Sequence, residues 1–367
     1  MQTSDCLKKI RNPAIDILRG LCIIFVVMGH CGFPYTKLLY SFHVPLFFLI
    51  SGMVEKPFHI SDTVPIKNFV IKKLTRLYVP FVVFSIVELL LHNFLIDLHI
   101  YISEENILCS SECFQVVTRY SNQEMLLRFF KAFVFAGGSQ LGGALWFFKI
   151  LFFSSIFFKI ECFLLRKNSK RMLFLLIINF VFYAIGAVLF AKKIYLPLGF
   201  EIMFSVMIFY YIGFLIHNHF KSVETLICRK KIVCAIVSFV PLLFSYSFQN
   251  VDIGRHVMTN PLLLLLTTFC GFVFCYSLSL ILSKVKIGNV INYVGNNTVC
   301  IVLLHFLAFK LVNLALIWQK GLDMSYLAAF PFLDRSMWPL YVIVGCALPL
   351  MFNYVSLYTV HLIYKRK

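Results

Sequence analysis

Two apolar stretches near the start of this 367-residue chain carry side chains that hydrocarbon does not tolerate. The first, PAIDILRGLCIIFVVMGH, holds Asp16, Arg19 and His30. The second, FHVPLFFLISG, begins with His43 and Pro45 in its first turn and ends on Ser51 and Gly52. A charge at the centre of a bilayer costs at least about 2.5–3.5 kcal/mol on insertion scales, so each such residue marks a functional site or a paired contact. The eleven residues from Arg19 to His30 make three helical turns plus about 20°, which puts both on one face, roughly 16 Å apart along the axis. Asp16, three residues before Arg19, lies within reach of its guanidinium. A fixed cation suits an anionic group, and an imidazole, titrating near neutrality, suits proton transfer from a hydroxyl. The competing reading of Asp16, Arg19, His30 and His43 is a polar seam between packed helices.

The elements that must position these residues are membrane spans. The chain is 60% hydrophobic and 14% charged, with mean hydropathy +0.86, against about 25% charged residues in soluble domains. This composition predicts an all-α, polytopic integral membrane protein: one transmembrane domain over 1–367, with no appended soluble domain. Ten spans are expected, near 13–33, 38–56, 77–97, 144–164, 172–191, 197–217, 232–249, 261–282, 296–318 and 338–363. Segment 124–136 is amphipathic and too short to cross, so it reads as interfacial or re-entrant. The first apolar run reads as a retained span rather than a cleaved signal, because it is long and contains Arg19 and His30.

Charge sets the orientation. Of 34 Lys and Arg residues, 21 fall in the termini and loops of one side and nine on the other. Both termini are therefore expected in the cytoplasm. The net charge of +18 is then mostly a topology signal, and nothing in the chain resembles a nucleic-acid-binding module. Most of the twelve cysteines lie inside expected spans, where Cys behaves as a small hydrophobe. Cys109 and Cys113, in the outer loop 98–123, are candidates for a short-loop disulfide. No Cys/His spacing predicts a metal site.

Further polar groups interrupt the later spans. Glu88 and His92, four apart, share a helix face and can hydrogen-bond there. Lys72, Lys73 and Arg76 cluster where the third span enters the membrane, beside the anionic lipid surface. Trp146 begins the fourth span, as an interfacial anchor or as a stacking surface for a sugar. Lys149, one turn further in, calls for an anionic partner or ligand. Glu201 opens the sixth span, and His305 lies in the middle of the ninth.

The sequence IDILRGLCIIFVVMGH followed by FHVPLFFLISG resembles the opening of the membrane-bound acyltransferase-3 family, bacterial-type O-acetyltransferases that include a fucose 4-O-acetylase-like group. Arg19, His30, His43, Pro45, Ser51 and Gly52 fall on that pattern. Lys73 and Arg76, followed by Pro80, are similar to the family's pair of basic residues before the third span, with lysine where arginine is common. Leu145, Trp146 and Phe147 resemble its Leu-Trp-Phe motif, and Tyr293, Gly295, Thr298 and His305 its Tyr-x-Gly-x-x-Ser/Thr run ending in histidine. Glu201 and the FYYIGFLI segment resemble it loosely; Glu88 and His92 match no family motif.

The resemblance implies an O-acetyltransferase of the bacterial cytoplasmic (inner) membrane. It would move an acetyl group from cytoplasmic acetyl-CoA to a hydroxyl of a cell-surface glycan or its lipid-linked precursor, directly or through a separate partner protein. Arg19, Lys73 and Arg76 would then hold coenzyme A. His30 and His43, with Asp16 and Arg19, would carry the chemistry, and Trp146, Lys149, Glu88, His92, Glu201 and His305 would form acceptor contacts. No G-x-S-x-G elbow points to a serine nucleophile. The alternative class is a transporter or flippase of a glycan or lipid intermediate, against which stands the absence of inverted repeats. A scaffold without chemistry leaves the Asp–Arg–His stripe unexplained.

Overall fold

Asn12 starts the first helix, its side chain accepting the Ala14 N–H at 3.0 Å, with Pro13 at the first helical position; proline is suited to that place because its missing donor would be unsatisfied there anyway. The computed structural model describes residues 12–55, 66–103 and 116–365, and it is 78% helical. Helix α1 (Pro13–Gly29) ends at His30, and Gly32, at φ +79°, turns the chain into α2 (Thr36–Tyr40) and α3 (His43–Met53). A long helix follows as α4 (Ile66–Lys73), one π-helical turn (Leu74–Tyr78) and α5 (Val79–Asp97). Helix α6 (Asn122–Phe133) opens on a capping box between Ser121 and Glu124.

Helices α7 (Trp146–Leu164), α8 (Arg171–Ala191), α9 (Phe200–Asn218), α10 (Phe220–Arg229) and α11 (Lys231–Phe248) come next. A small hairpin pairs β1 (Val251–Asp252) with β2 (Val257–Met258), in the register Val251↔Met258 and Asp252↔Val257. The chain ends with α12 (Pro261–Leu282), α13 (Lys286–Asn296), α14 (Thr298–Lys320) and α15 (Trp338–Lys365).

Seven helices among the described residues are long and apolar enough to cross a membrane, and they correspond to seven of the ten expected spans. The other three differ for separate reasons. Helix α1 has 17 residues. The expected span 38–56 is divided into α2 and an α3 of 11 residues, which covers roughly 16 Å, about half of the hydrocarbon core. Helix α7 has the length but carries Lys149, Lys159 and Glu161. The interfacial segment expected at 124–136 is α6, whereas α10 and α13 are amphipathic helices that hydropathy alone passes over. The all-α expectation agrees with the mostly helical structure; strand pairing among the described residues is the short 251–258 hairpin and one isolated bridge between Ser103 and Val117. Cys109, Cys113 and the loop's Glu104, Glu105 and Glu112 lie outside the described residues.

The short α3 is buried along nearly its whole length and packs against α9 with backbone in contact. A Cβ on Gly213 would stand 1.8 Å from the Leu49 carbonyl oxygen, and one on Gly52 2.0 Å from that of Tyr210. Helix α1 meets α13 in the same way, through Gly20 against Ile291 and Gly295 against the Asp16 carbonyl. Small residues at such crossings let helices close without hydrophobic drive from water. The α1–α13 packing fixes the first half of α1, and with it Arg19.

Candidate active site

Where α1 ends and α3 begins, the chain brings two histidines together. His30 terminates α1, and its ring lies 6.5 Å from Tyr40, 5.0 Å from Phe306 and 5.5 Å from His305, centroid to centroid. Tyr40 fastens the turn by donating its hydroxyl to the Gly29 carbonyl at 3.1 Å. His43, in the first turn of α3 and buried, packs its ring 5.0 Å from Tyr40. Its Nδ1 lies 2.7 Å from the Leu39 carbonyl oxygen. A carbonyl only accepts, so Nδ1 carries the proton and Nε2 of the neutral ring keeps its lone pair.

His30, Tyr40 and His43 line a partly open cleft together with Val26, Val44, Phe47, Trp146 and the tip of the hairpin at Asp252, Ile253 and Gly254. A concave, mostly apolar lining with a few convergent polar groups is the usual form of a small-molecule site. Trp146 comes from the start of α7, and its indole lies against Gly254, where a Cβ would stand 3.0 Å from the ring. The hairpin places Asp252 in the cleft wall. Its carboxylate accepts the Arg255 N–H at 3.1 Å, while partial burial pushes the carboxyl above the ordinary aspartate value.

Glu201 anchors the hairpin from outside the cleft. It is 2% exposed, accepts the Leu196 N–H at 2.8 Å, and its other oxygen meets His256 Nε2 at 2.7 Å. His256 sits at φ +60° between the rings of Phe190 and Tyr195. Glu201, expected as an acceptor contact, lies beneath one wall and does not itself line the cleft. Lys149 is also absent from the cleft lining; it runs beside Gly199, with Glu201 as a nearby acid.

Asp16 and Arg19 occupy the opposite end of α1. Asp16 is buried, and its carboxylate lies 3.6 Å from Arg19, whose side chain is 29% exposed. The expected i,i+3 pair is formed, and the cleft does not extend to it. Lys73 belongs to a cluster that sequence reasoning did not assemble. Its Nζ is 3.4 Å from Glu55, which also lies 3.8 Å from Lys159 and accepts the Tyr210 hydroxyl at 3.0 Å. Phe69 underlies both lysines. Arg76, in the π-helical turn, is exposed.

The expected Glu88–His92 hydrogen bond is replaced by two separate contacts. Glu88 accepts from Ser139, and His92 Nε2 bonds the Thr118 carbonyl at 2.9 Å while its ring stacks 3.6 Å from Tyr120. The two residues share a face as expected, but the segment 137–142 and the strand-like residues 117–120 supply closer partners. Together with Ser85, Arg128 and Gly137 they line a second, smaller pocket. Segment 137–146 divides the two cavities. Gly142 abuts Glu88, and Gly143 abuts Phe306, the ring that touches His30.

Tyr40, Asp252 and Gly254 were not foreseen as cleft residues. One signal was available for the hairpin: VDIGRHV places an acid, a base and a histidine within five residues between two long apolar runs. Comparison with known proteins gives one match to a family profile, an acyltransferase domain (the acyltransferase-3 profile), over residues 12–358. Neither the search of curated proteins nor that of solved structures gives a match.

Proposed function

We propose, from the premise that the chain belongs to the acyltransferase-3 family and is a membrane acyltransferase, that it transfers an acetyl group from acetyl-CoA to a hydroxyl of a glycan or lipid-linked glycan. The observation that carries this reading is the convergence of His30, His43 and Trp146, from three different helices, on one cleft. Acyl transfer from a thioester to a hydroxyl needs a base at the attacking oxygen and a held acyl donor. An aromatic wall and a carboxylate, here Trp146 and Asp252, suit the apolar face and the hydroxyls of a sugar.

In this reading the acceptor oxygen attacks the thioester carbonyl carbon while His30 takes the hydroxyl proton. The new C–O bond forms, the C–S bond breaks, and the proton passes from the imidazole to the departing sulfur, giving the free thiol of coenzyme A. His43, with its Nε2 lone pair, is the second acid–base group. Arg19, fixed by Asp16, holds the phosphate portion of the donor, with Lys73 and Arg76 at the entrance. The roughly 16 Å between Arg19 and His30 along α1 is comparable to an extended pantetheine arm. The charge asymmetry of the loops supports an orientation with the Arg19 end in the cytoplasm, beside the donor, and the cleft toward the far side of a bacterial inner membrane.

The test is thiol release from acetyl-CoA by purified protein in detergent, with and without a cell-envelope glycan extract. Release that depends on the extract, with acetyl recovered as an ester on the glycan, supports the reading. The absence of any release under both conditions favours a transporter.

A further inference from the structure

His305 is fully buried in α14, and its ring is held by its own helix. Nδ1 lies 2.9 Å from the Ile301 carbonyl oxygen and 3.1 Å from that of Val302. Both are acceptors, so Nδ1 must carry the ring proton, and Nε2 is left as a lone-pair acceptor. That Nε2 is buried and has no hydrogen-bond partner among the described residues. Such an atom, deep in a membrane bundle, needs a donor, because nothing repays its lost hydration.

The ring nearest to it that can supply an N–H is His30. The two centroids are 5.5 Å apart and the planes are within 26°. Two imidazoles joined edge to edge by an N–H···N bond of normal length have centroids about 5 Å apart and nearly coplanar rings. The observed pair is stacked and not yet bonded, at a centroid separation close to the one that such a bond requires, so a reorientation of the His30 ring is what would form it. The other rings against His305 among the described residues are those of Phe306 and Phe309, which offer no N–H or O–H. The remaining contacts of His30, Phe306 and Tyr40, leave its N–H free to turn toward His305, since the Tyr40 hydroxyl is committed to Gly29.

We propose that His305 is the positioning residue of the site: its backbone-locked Nε2 accepts the His30 N–H and so fixes the tautomer and ring angle that turn the His30 lone pair into the cleft. The role usually given to a carboxylate beside a catalytic histidine is here given to a neutral imidazole whose own tautomer is dictated by two helix carbonyls. A neutral partner fits a buried position, where an extra carboxylate would carry a large desolvation cost. His305, expected from the sequence to touch the acceptor, instead acts from behind His30. The inference rests on His30 being the base, but its structural half can be read without any turnover.

The experiment uses the full-length protein with ¹⁵N-labelled histidine, in wild type, His305→Phe and His305→Gln. Nitrogen chemical shifts report which ring nitrogen of His30 is protonated, and coupling across an N–H···N bond reports the partner. The expected result is one His30 tautomer in wild type, with coupling to His305 Nε2. In His305→Phe, which keeps a ring but removes the acceptor, the tautomers should mix. In His305→Gln, whose amide oxygen can accept near the former Nε2 position, the single tautomer should return. In the same samples, turnover of acetyl-CoA with a cell-envelope glycan extract should fall roughly ten- to a hundred-fold in His305→Phe, part of what a general base contributes. The KM for acetyl-CoA should stay unchanged, and His305→Gln should recover part of the rate. An unchanged His30 tautomer in His305→Phe, or a wild-type mixture with water as the donor to Nε2, overturns the proposal. The expected nitrogen spectra with no transfer to any glycan would instead sink the glycan reading and leave the histidine pair standing.

Discussion

Replacing His256 by alanine tests whether the hairpin wall of the cleft is held from outside. The Glu201–His256 contact is 2.7 Å long, and the two side chains are 3% and 20% exposed. A hydrogen bond to a charged group contributes about 1.5–3 kcal/mol, and its loss leaves a buried carboxylate with the Leu196 N–H as the other partner seen here. Taking about 2 kcal/mol, the ratio of seated to released hairpin falls roughly thirty-fold. Gly254 rests on the Trp146 indole, so release uncovers that ring. The assay is acrylamide quenching of Trp146 fluorescence after Trp318 and Trp338 are changed to phenylalanine, since the chain has three tryptophans. Quenching should rise clearly in His256→Ala and little in His256→Gln, which keeps a donor for Glu201. Equal quenching in wild type and His256→Ala would refute the argument that Glu201 holds the cleft wall through His256.

Other expectations follow from separate parts of the structure. Cysteines placed at 115 and 225 should react with an impermeant reagent in intact cells at the first position only; labelling at 225 alone would invert the orientation. Arg76→Ala should raise the KM for acetyl-CoA several-fold, and Lys73→Ala less, because Lys159 remains beside Glu55; unchanged values in both would reduce the cluster to a topology signal. Gly213→Val should destabilise the bundle by about 1–3 kcal/mol or more, as overpacking at a closed backbone crossing does, read as a lower thermal midpoint in detergent. A midpoint equal to wild type would show that α3 and α9 can separate without cost.

The stripe of Asp16, Arg19 and His30, and His43 in the next apolar run, were legible because charged and titratable residues stand out against apolar runs, and because spacing within one helix converts directly into geometry. The Asp16–Arg19 pair formed at the expected spacing, since both residues lie within one regular helix. Spacing failed for Glu88 and His92, where segments 117–120 and 137–142, distant in sequence, supply nearer partners than the i+4 neighbour. It also could not assign Glu201, whose partner His256 is 55 residues away on a hairpin. Hydropathy counted α3 as a full span because it averages over the break at Ser41 and Phe42, where the helix stops and restarts. The amphipathic helices α10 and α13 were passed over because alternating faces cancel in a hydropathy average. Family likeness marked His305, and the burial of its Nε2 with the two carbonyls on Nδ1 is what supports proposing it as a positioning residue.

The central claim is that the cleft at the end of α1 performs acyl transfer with His30 as its base, while Arg19 serves the donor. Acetyl-CoA binding and turnover measured together on purified wild type, His30→Ala and Arg19→Ala test it most directly. The account predicts that His30→Ala binds acetyl-CoA as wild type does and transfers no acetyl group, and that Arg19→Ala binds it weakly. Substantial turnover in His30→Ala, or wild-type affinity in Arg19→Ala, would contradict it.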